Sequence, residues 1–187
     1  MDAFSYLSVL LSIILGLAIT QVLKGFRGLM QSRARLRMYW PAVVWSVLVL
    51  VIAVQSWWAM FDLRHLEDWT FFAFSVVLAQ TIVVYLLAAL VLPDFFGDAG
   101  FDLRAHYYDH QRWFFALFVA LIAASIAKSR VIYGEWPPPL DLAFHLVFAA
   151  TGVAGALVRR PRFHEIIAAT GLVVIGAYIA LLFAHLR

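Results

Sequence analysis

Cysteine is absent from this 187-residue chain, which excludes disulfides, thiolate metal sites and cysteine nucleophiles and leaves the redox compartment open. Charge is scarce as well. Asp, Glu, Lys and Arg make up 13% of the residues and hydrophobic residues 65%, against roughly 25% and 45–50% in soluble domains. A soluble fold of this size has too little interior to bury so much apolar surface. No phosphate-binding glycine loop, nucleophile elbow or zinc-protease helix is present, since the glycines sit inside apolar runs and not in strand-to-helix turns. No linker or low-complexity tract divides the chain, so residues 1–187 read as a single transmembrane helical domain.

What fills the chain is six apolar stretches, at about 4–24, 40–61, 70–92, 113–133, 140–158 and 166–186. Each is close to the roughly 20 residues that cross a bilayer as a helix. The fold class predicted is therefore all-α, a polytopic bundle of six transmembrane helices. Met1-Asp2-Ala3 supplies no basic leader region, and Lys24 and Arg27 follow the first apolar run, so that run is expected to be a retained span. Trp40-Pro41 opens the second span and Pro93 stops the third through its missing N–H. Lys128 and Arg130 interrupt the fourth, which also admits a five-span reading with that segment re-entrant.

The basic residues are unevenly shared. Loops one, three and five carry ten (Lys24, Arg27, Arg33, Arg35, Arg37; Arg104, Arg112; Arg159, Arg160, Arg162). The even loops and the tail carry four (Arg64, Lys128, Arg130, Arg187). The positive-inside rule then places the odd loops in the cytoplasm and both termini on the non-cytoplasmic side. Trp40, Phe95, Tyr107 and Trp113 fall where an inner aromatic belt belongs, and Trp57, Trp58, Trp69 and Trp136 where an outer one does. The pI of 9.4 is thus a topological signal and gives no reason to expect nucleic-acid binding. The basic first loop also suits an anionic leaflet.

Small or hydroxylated residues recur every four positions in the first span (Ser8, Ser12, Gly16, Thr20), with shorter rows at Gly152 and Ala156 and at Gly176, Ala180 and Ala184. Such rows let helix backbones approach closely in lipid, and the hydroxyls of the first could alternatively line a conduction path.

Rise per residue places several polar groups at one level of the outer half: Ser8, Gln55, Lys128, Arg130, Asp141, His145 and His185. Asp141 and His145 are four apart and share a face. Together with Gln80, the deepest strongly polar side chain, these predict an outward-facing ligand pocket of Ser8, Gln55, Gln80, Lys128, Arg130, Asp141 and His145. Lys128 or Arg130 would attract an anionic group, and Asp141 with His145 would relay a proton or fix a ligand. The competing reading is of helix-end groups, with the two cations snorkelling to the headgroups and Gln80 making an interhelical hydrogen bond. Gln21 reads as an interfacial group.

The third loop holds the one pattern resembling metal chemistry, Asp102, His106, Asp109 and His110. On a helix, Asp102, His106 and His110 lie one turn apart and could hold zinc or non-haem iron, so a divalent metal is the only cofactor the sequence admits. An amphipathic interfacial helix anchored by Tyr107, Tyr108 and Trp113 accounts for the same residues. His164 with Glu165 is the other candidate at that end.

A weak inverted repeat is suggested by Lys24 against Lys128 and Trp40-Pro41 against Trp136-Pro137. The function expected first is a non-enzymatic small transporter or ligand-binding membrane subunit using the outer-half pocket. Alternatives are a metal-dependent membrane enzyme at His106 and His110, and an accessory subunit of a larger complex. The expected partners are the lipid bilayer and either further copies of the chain or another membrane subunit. The expected location is a cell membrane, the cytoplasmic one if the source is bacterial.

Overall fold

The computed structural model describes residues 3–32, 34, 36–94 and 101–183. Arg33, Arg35, Phe95, Ala184, His185 and Arg187 lie outside the described residues. Six helices long and apolar enough to cross a membrane account for most of what is described. They are α1 (Ala3–Gln31), α2 (Trp40–Ala59), α3 (Phe71–Val91), α4 (Leu103–Tyr133), α5 (Pro139–Leu157) and α6 (Pro161–Leu182). The chain is thus an all-α, multi-pass membrane protein.

Local chemistry sets the boundaries. Proline stands in the first turn of α2, α5 and α6, where its fixed φ suits the helix and its missing N–H has no partner to lose. Thr70 caps α3 by accepting from Ala73 N at 3.1 Å, and α2 runs into a 3-10 turn, Met60–His65. Asp102 Oδ1 accepts from Arg104 N and Ala105 N at 2.9 and 3.1 Å, which starts α4 ten residues before the expected Trp113. The interfacial segment around His106 is therefore the first turns of one continuous 31-residue helix. That helix passes unbroken through Lys128 and Arg130 and ends at Gly134, whose φ of 70° is the left-handed conformation glycine adopts freely. Helix α1 likewise runs seven residues beyond Lys24, because nothing in Gly25–Gln31 breaks it.

The packing places α2 inside. It lies against α1, α3, α4 and α6, while α3–α4, α4–α5, α5–α6 and α1–α3 contacts close the bundle around it. Trp45 of α2 is the centre, 1% exposed, with Phe114, Phe115 and Phe118 of α4 edge-on to it at centroid distances of 5.2–5.6 Å. Without a hydrophobic drive between helices in lipid, such dispersion and edge-to-face contacts, about 0.5–1.5 kcal/mol per aromatic pair, carry the association.

One end of the bundle gathers loops one, three and five, and we call it the basic end. There two short strands, β1 (Leu36–Arg37) and β2 (Phe101–Asp102), pair in parallel. Arg37 Nη1 lies 3.6 Å from Asp102 Oδ2.

The small-residue rows divide. Gly152 packs tightly, since a Cβ there would lie 2.7 Å from Val119 Cγ2. Gly16 and Gly176 have nothing within 4 Å of such a Cβ, and both face outward. Ser8 and Thr20 turn their hydroxyls back to Ser5 O and Gly16 O, at 3.1 and 2.7 Å. The α1 row is therefore half-buried at Ser8 and Ser12 and exposed at Gly16 and Thr20, so it packs only in part against the rest of the chain.

Candidate functional site

At the end opposite the basic loops, α2, α3, α4, α5 and Tyr178 of α6 enclose a cavity of about 670 Å³. A smaller chamber of about 60 Å³ continues it inward and shares Gln55, Ser56, Gln80, Ser125 and Tyr178 with it. Gln80 stands about 14 Å along α3 from its first residue, so the cavity reaches to near half the thickness of a bilayer. The polyproline linker, Pro137 to Pro139, and Trp136 form part of the mouth.

Of the residues expected in the pocket, Gln55, Gln80, Lys128, Asp141 and His145 line these two chambers. Ser8 and Arg130 do not. Ser8 faces away on α1, and Arg130 is exposed and bonds Gly134 O, serving the last turn of α4.

A polar network crosses three helices. His145 is 4% exposed. Its Nδ1 lies 3.1 Å from Asp141 Oδ1 and 2.8 Å from Asp141 O, one turn back on α5. Its Nε2 lies 2.9 Å from Ser125 Oγ on α4. Tyr178 Oη of α6 donates to Asp141 Oδ1 at 3.0 Å. Nδ1 faces two oxygens that can only accept, so it carries a proton, and when the ring is neutral Nε2 accepts from the Ser125 hydroxyl. Ser125 and Tyr178 were not singled out in the sequence. The signal available for Ser125 was its spacing to Lys128, three residues on, which puts hydroxyl and ammonium on one face of α4.

Thr81 bonds Val77 O at 2.8 Å, whereas three other polar groups of the wall are uncommitted. Gln55 and Gln80 make no hydrogen bond to a described residue. Lys128 has no carboxylate of a described residue within 4.0 Å, although it lies in the fields of Asp141 and Asp62. Asp62 and Glu135 also line the mouth, so the wall carries three carboxylates against one ammonium.

At the basic end Asp102 and His110 of the metal pattern have other partners, while the buried Nε2 of His106 has none among the described residues. Asp102 is consumed as the cap of α4 and by Arg37. His110 Nδ1 lies 3.0 Å from His106 O, and the two rings are tilted at a centroid distance of 4.4 Å. Among the described residues no three His, Asp or Glu side chains converge in the manner of a metal site. His164 is fully buried and closes a structural corner: it accepts from Tyr107 Oη at Nδ1 (2.8 Å) and donates from Nε2 to Val158 O (2.7 Å). Gln111, 1% exposed, donates to Gly155 O and Val158 O at 2.7 and 2.9 Å. Side chains of α4 and α6 thereby satisfy carbonyls at the end of α5 that its own helix cannot. Tyr107 is consequently core and not part of an aromatic belt. Next to it, burial and the Tyr108 hydroxyl, 3.1 Å away, hold the Tyr39 phenol above its ordinary pKa.

Comparison of the chain with protein-family models, with curated proteins and with solved structures finds no match.

Proposed function

We propose that this protein binds a small zwitterionic molecule in the 670 Å³ cavity, as a small transporter or as the ligand-binding subunit of a membrane system. The observation that carries the reading is a wall of uncommitted polar groups, Gln55, Gln80 and Lys128, at a depth where an unsatisfied polar group costs several kcal/mol in lipid. Lys128 would hold the anionic end of the ligand, and Asp62 and Glu135 at the mouth would attract the cationic end. The excess of basic residues in the odd loops supports an orientation with those loops in the cytoplasm, the cavity open to the outside and both termini outside. In a bacterium this would be the cytoplasmic membrane. The outward-facing small residues of α1 and α6, Gly16 and Gly176 among them, are the surfaces we assign to association with further copies or a partner subunit.

Thermal unfolding of the detergent-purified protein against a panel of small zwitterions tests this. A ligand at 100 times its Kd adds about 2.7 kcal/mol of stability. The expected result is a concentration-dependent rise in Tm for at least one zwitterion, lost in Lys128→Ala. An unchanged Tm throughout, or a rise that survives Lys128→Ala, contradicts the reading.

A further inference from the structure

The contacts among Ser125, His145 and Asp141 have the order and spacing of a nucleophile, its base and the group that orients the base. Ser125 Oγ is 2.9 Å from His145 Nε2, and His145 Nδ1 is 3.1 Å from Asp141 Oδ1. We propose that Ser125 is a nucleophile acting on a short-chain carboxylic ester bound in the cavity, a covalent activity beyond the ligand binding inferred above.

Four observations support it. Asp141 holds the proton on Nδ1, so the neutral ring presents the lone pair of Nε2 to the hydroxyl, the tautomer the chemistry needs. Asp141 is itself oriented, by the Tyr178 hydroxyl and by its place in the first turn of α5, where the helix dipole favours negative charge. Ser125 lines both chambers, at their junction. The two chambers also differ in the way an ester differs along its length. The 60 Å³ chamber behind Ser125 is walled by Phe118, Leu121, Phe148 and Ile175 and suits a short acyl chain. The larger chamber carries Lys128, Asp62 and Glu135 and suits a charged alcohol portion. Lys128, one turn along α4, and the Gln55 and Gln80 amides are among the cavity's donors and are those we assign to a negative oxygen formed at the carbonyl.

The step balances without a further cofactor. Ser125 Oγ attacks the carbonyl carbon while its proton passes to His145 Nε2. The ester C–O bond then breaks, and the departing alcohol takes that proton. Water entering from the cavity attacks the acyl-Ser125 and gives up a proton to Nε2, and the proton returns to Ser125 as the carboxylic acid leaves.

A fluorophosphonate probe, which phosphonylates activated serines with loss of fluoride, tests this on the full chain in lipid nanodiscs. Peptide mass spectrometry is expected to place the adduct on Ser125, with none in Ser125→Ala. His145→Gln and the near-isosteric Asp141→Asn are each expected to slow labelling about 10²-fold or more, the scale of general-base catalysis. Each variant is compared only after its size-exclusion profile and Tm match the native protein, and Asp141→Asn keeps the test open if His145→Gln fails to fold. A folded native protein that takes no adduct, or one whose Ser125 labels at the same rate in Asp141→Asn, overturns the proposal and leaves the three residues as an interhelical bond. Zwitterion binding with an inert Ser125 would overturn the nucleophile alone, and labelling of Ser125 without zwitterion binding would overturn the ligand reading alone.

Discussion

Replacing Gly155 by alanine should separate buried helix contact from bare helix propensity. A Cβ at Gly155 would stand 2.6, 2.7 and 2.8 Å from Cε1, Cδ1 and Cζ of Phe115, about 1 Å inside an ordinary carbon contact. The ring cannot step aside. Phe115 is fully buried, perpendicular to Trp45 at 5.2 Å and 5.7 Å from the His164 ring. Moving α5 instead would stretch the 2.7 Å bond from Gln111 to Gly155 O. Overpacking of this kind costs about 1–3 kcal/mol, weakening the bond adds up to about 1, and the better helix propensity of alanine returns about 1. The net expectation is a loss of up to about 3 kcal/mol, about 1.5 at the centre of those ranges. Gly176→Ala meets nothing within 4 Å and should be neutral or stabilising by up to about 1 kcal/mol. Unfolding titrations from mild detergent into SDS, followed by circular dichroism, give both values. Equal stabilities for the two variants, or a Gly155→Ala as stable as the native protein, would refute the α4–α5 packing described here.

Gln111→Leu removes the donors to Gly155 O and Val158 O; Val158 O keeps the His164 bond but Gly155 O is left buried without this donor, and the change should cost about 1–3 kcal/mol in the same titration. Lacking native cysteine, the chain suits single-cysteine mapping: in intact cells Glu135→Cys is expected to react with a membrane-impermeant maleimide and Arg160→Cys only after permeabilisation, and the reverse pattern would invert the proposed orientation. Metal analysis of the purified protein should give the same content for the native chain and for a His106→Ala, His110→Ala double variant. A stoichiometric divalent ion lost in the double variant would restore the metal reading.

Six spans were legible because each is a run of about 20 apolar residues punctuated by proline or charge. Their ends were less so. Helix α1 outlasts its apolar run because Lys24 and Arg27 are good helix formers at headgroup depth, and α4 begins early because one carboxylate, Asp102, satisfies two N–H groups. Which face of each helix points inward could not be read, because lipid and helix partners are equally apolar and the usual alternation of polar and apolar faces is missing. That is why the α1 row suggested an interior face although its Gly16 and Thr20 are exposed. Depth was readable from residue counting, and it brought Gln55, Gln80, Lys128, Asp141 and His145 to one cavity. Ser125 and Tyr178 depend on how α4 and α6 are rotated toward α5, which only the packed bundle reveals.

Ligand binding in the cavity requires water to reach Gln80 within the membrane. Gln80→Cys and Ile82→Cys place a thiol at nearly the same depth on α3, the first in the cavity and the second at a position 42% exposed on the outer surface of the bundle, where lipid would lie. Maleimides react with the thiolate, which needs water to form. In vesicles with the cavity end outward, an impermeant maleimide should label Gln80→Cys and leave Ile82→Cys unmodified. Equal reactivity at the two positions, or none at Gln80→Cys, would contradict a solvent-filled cavity in the bundle.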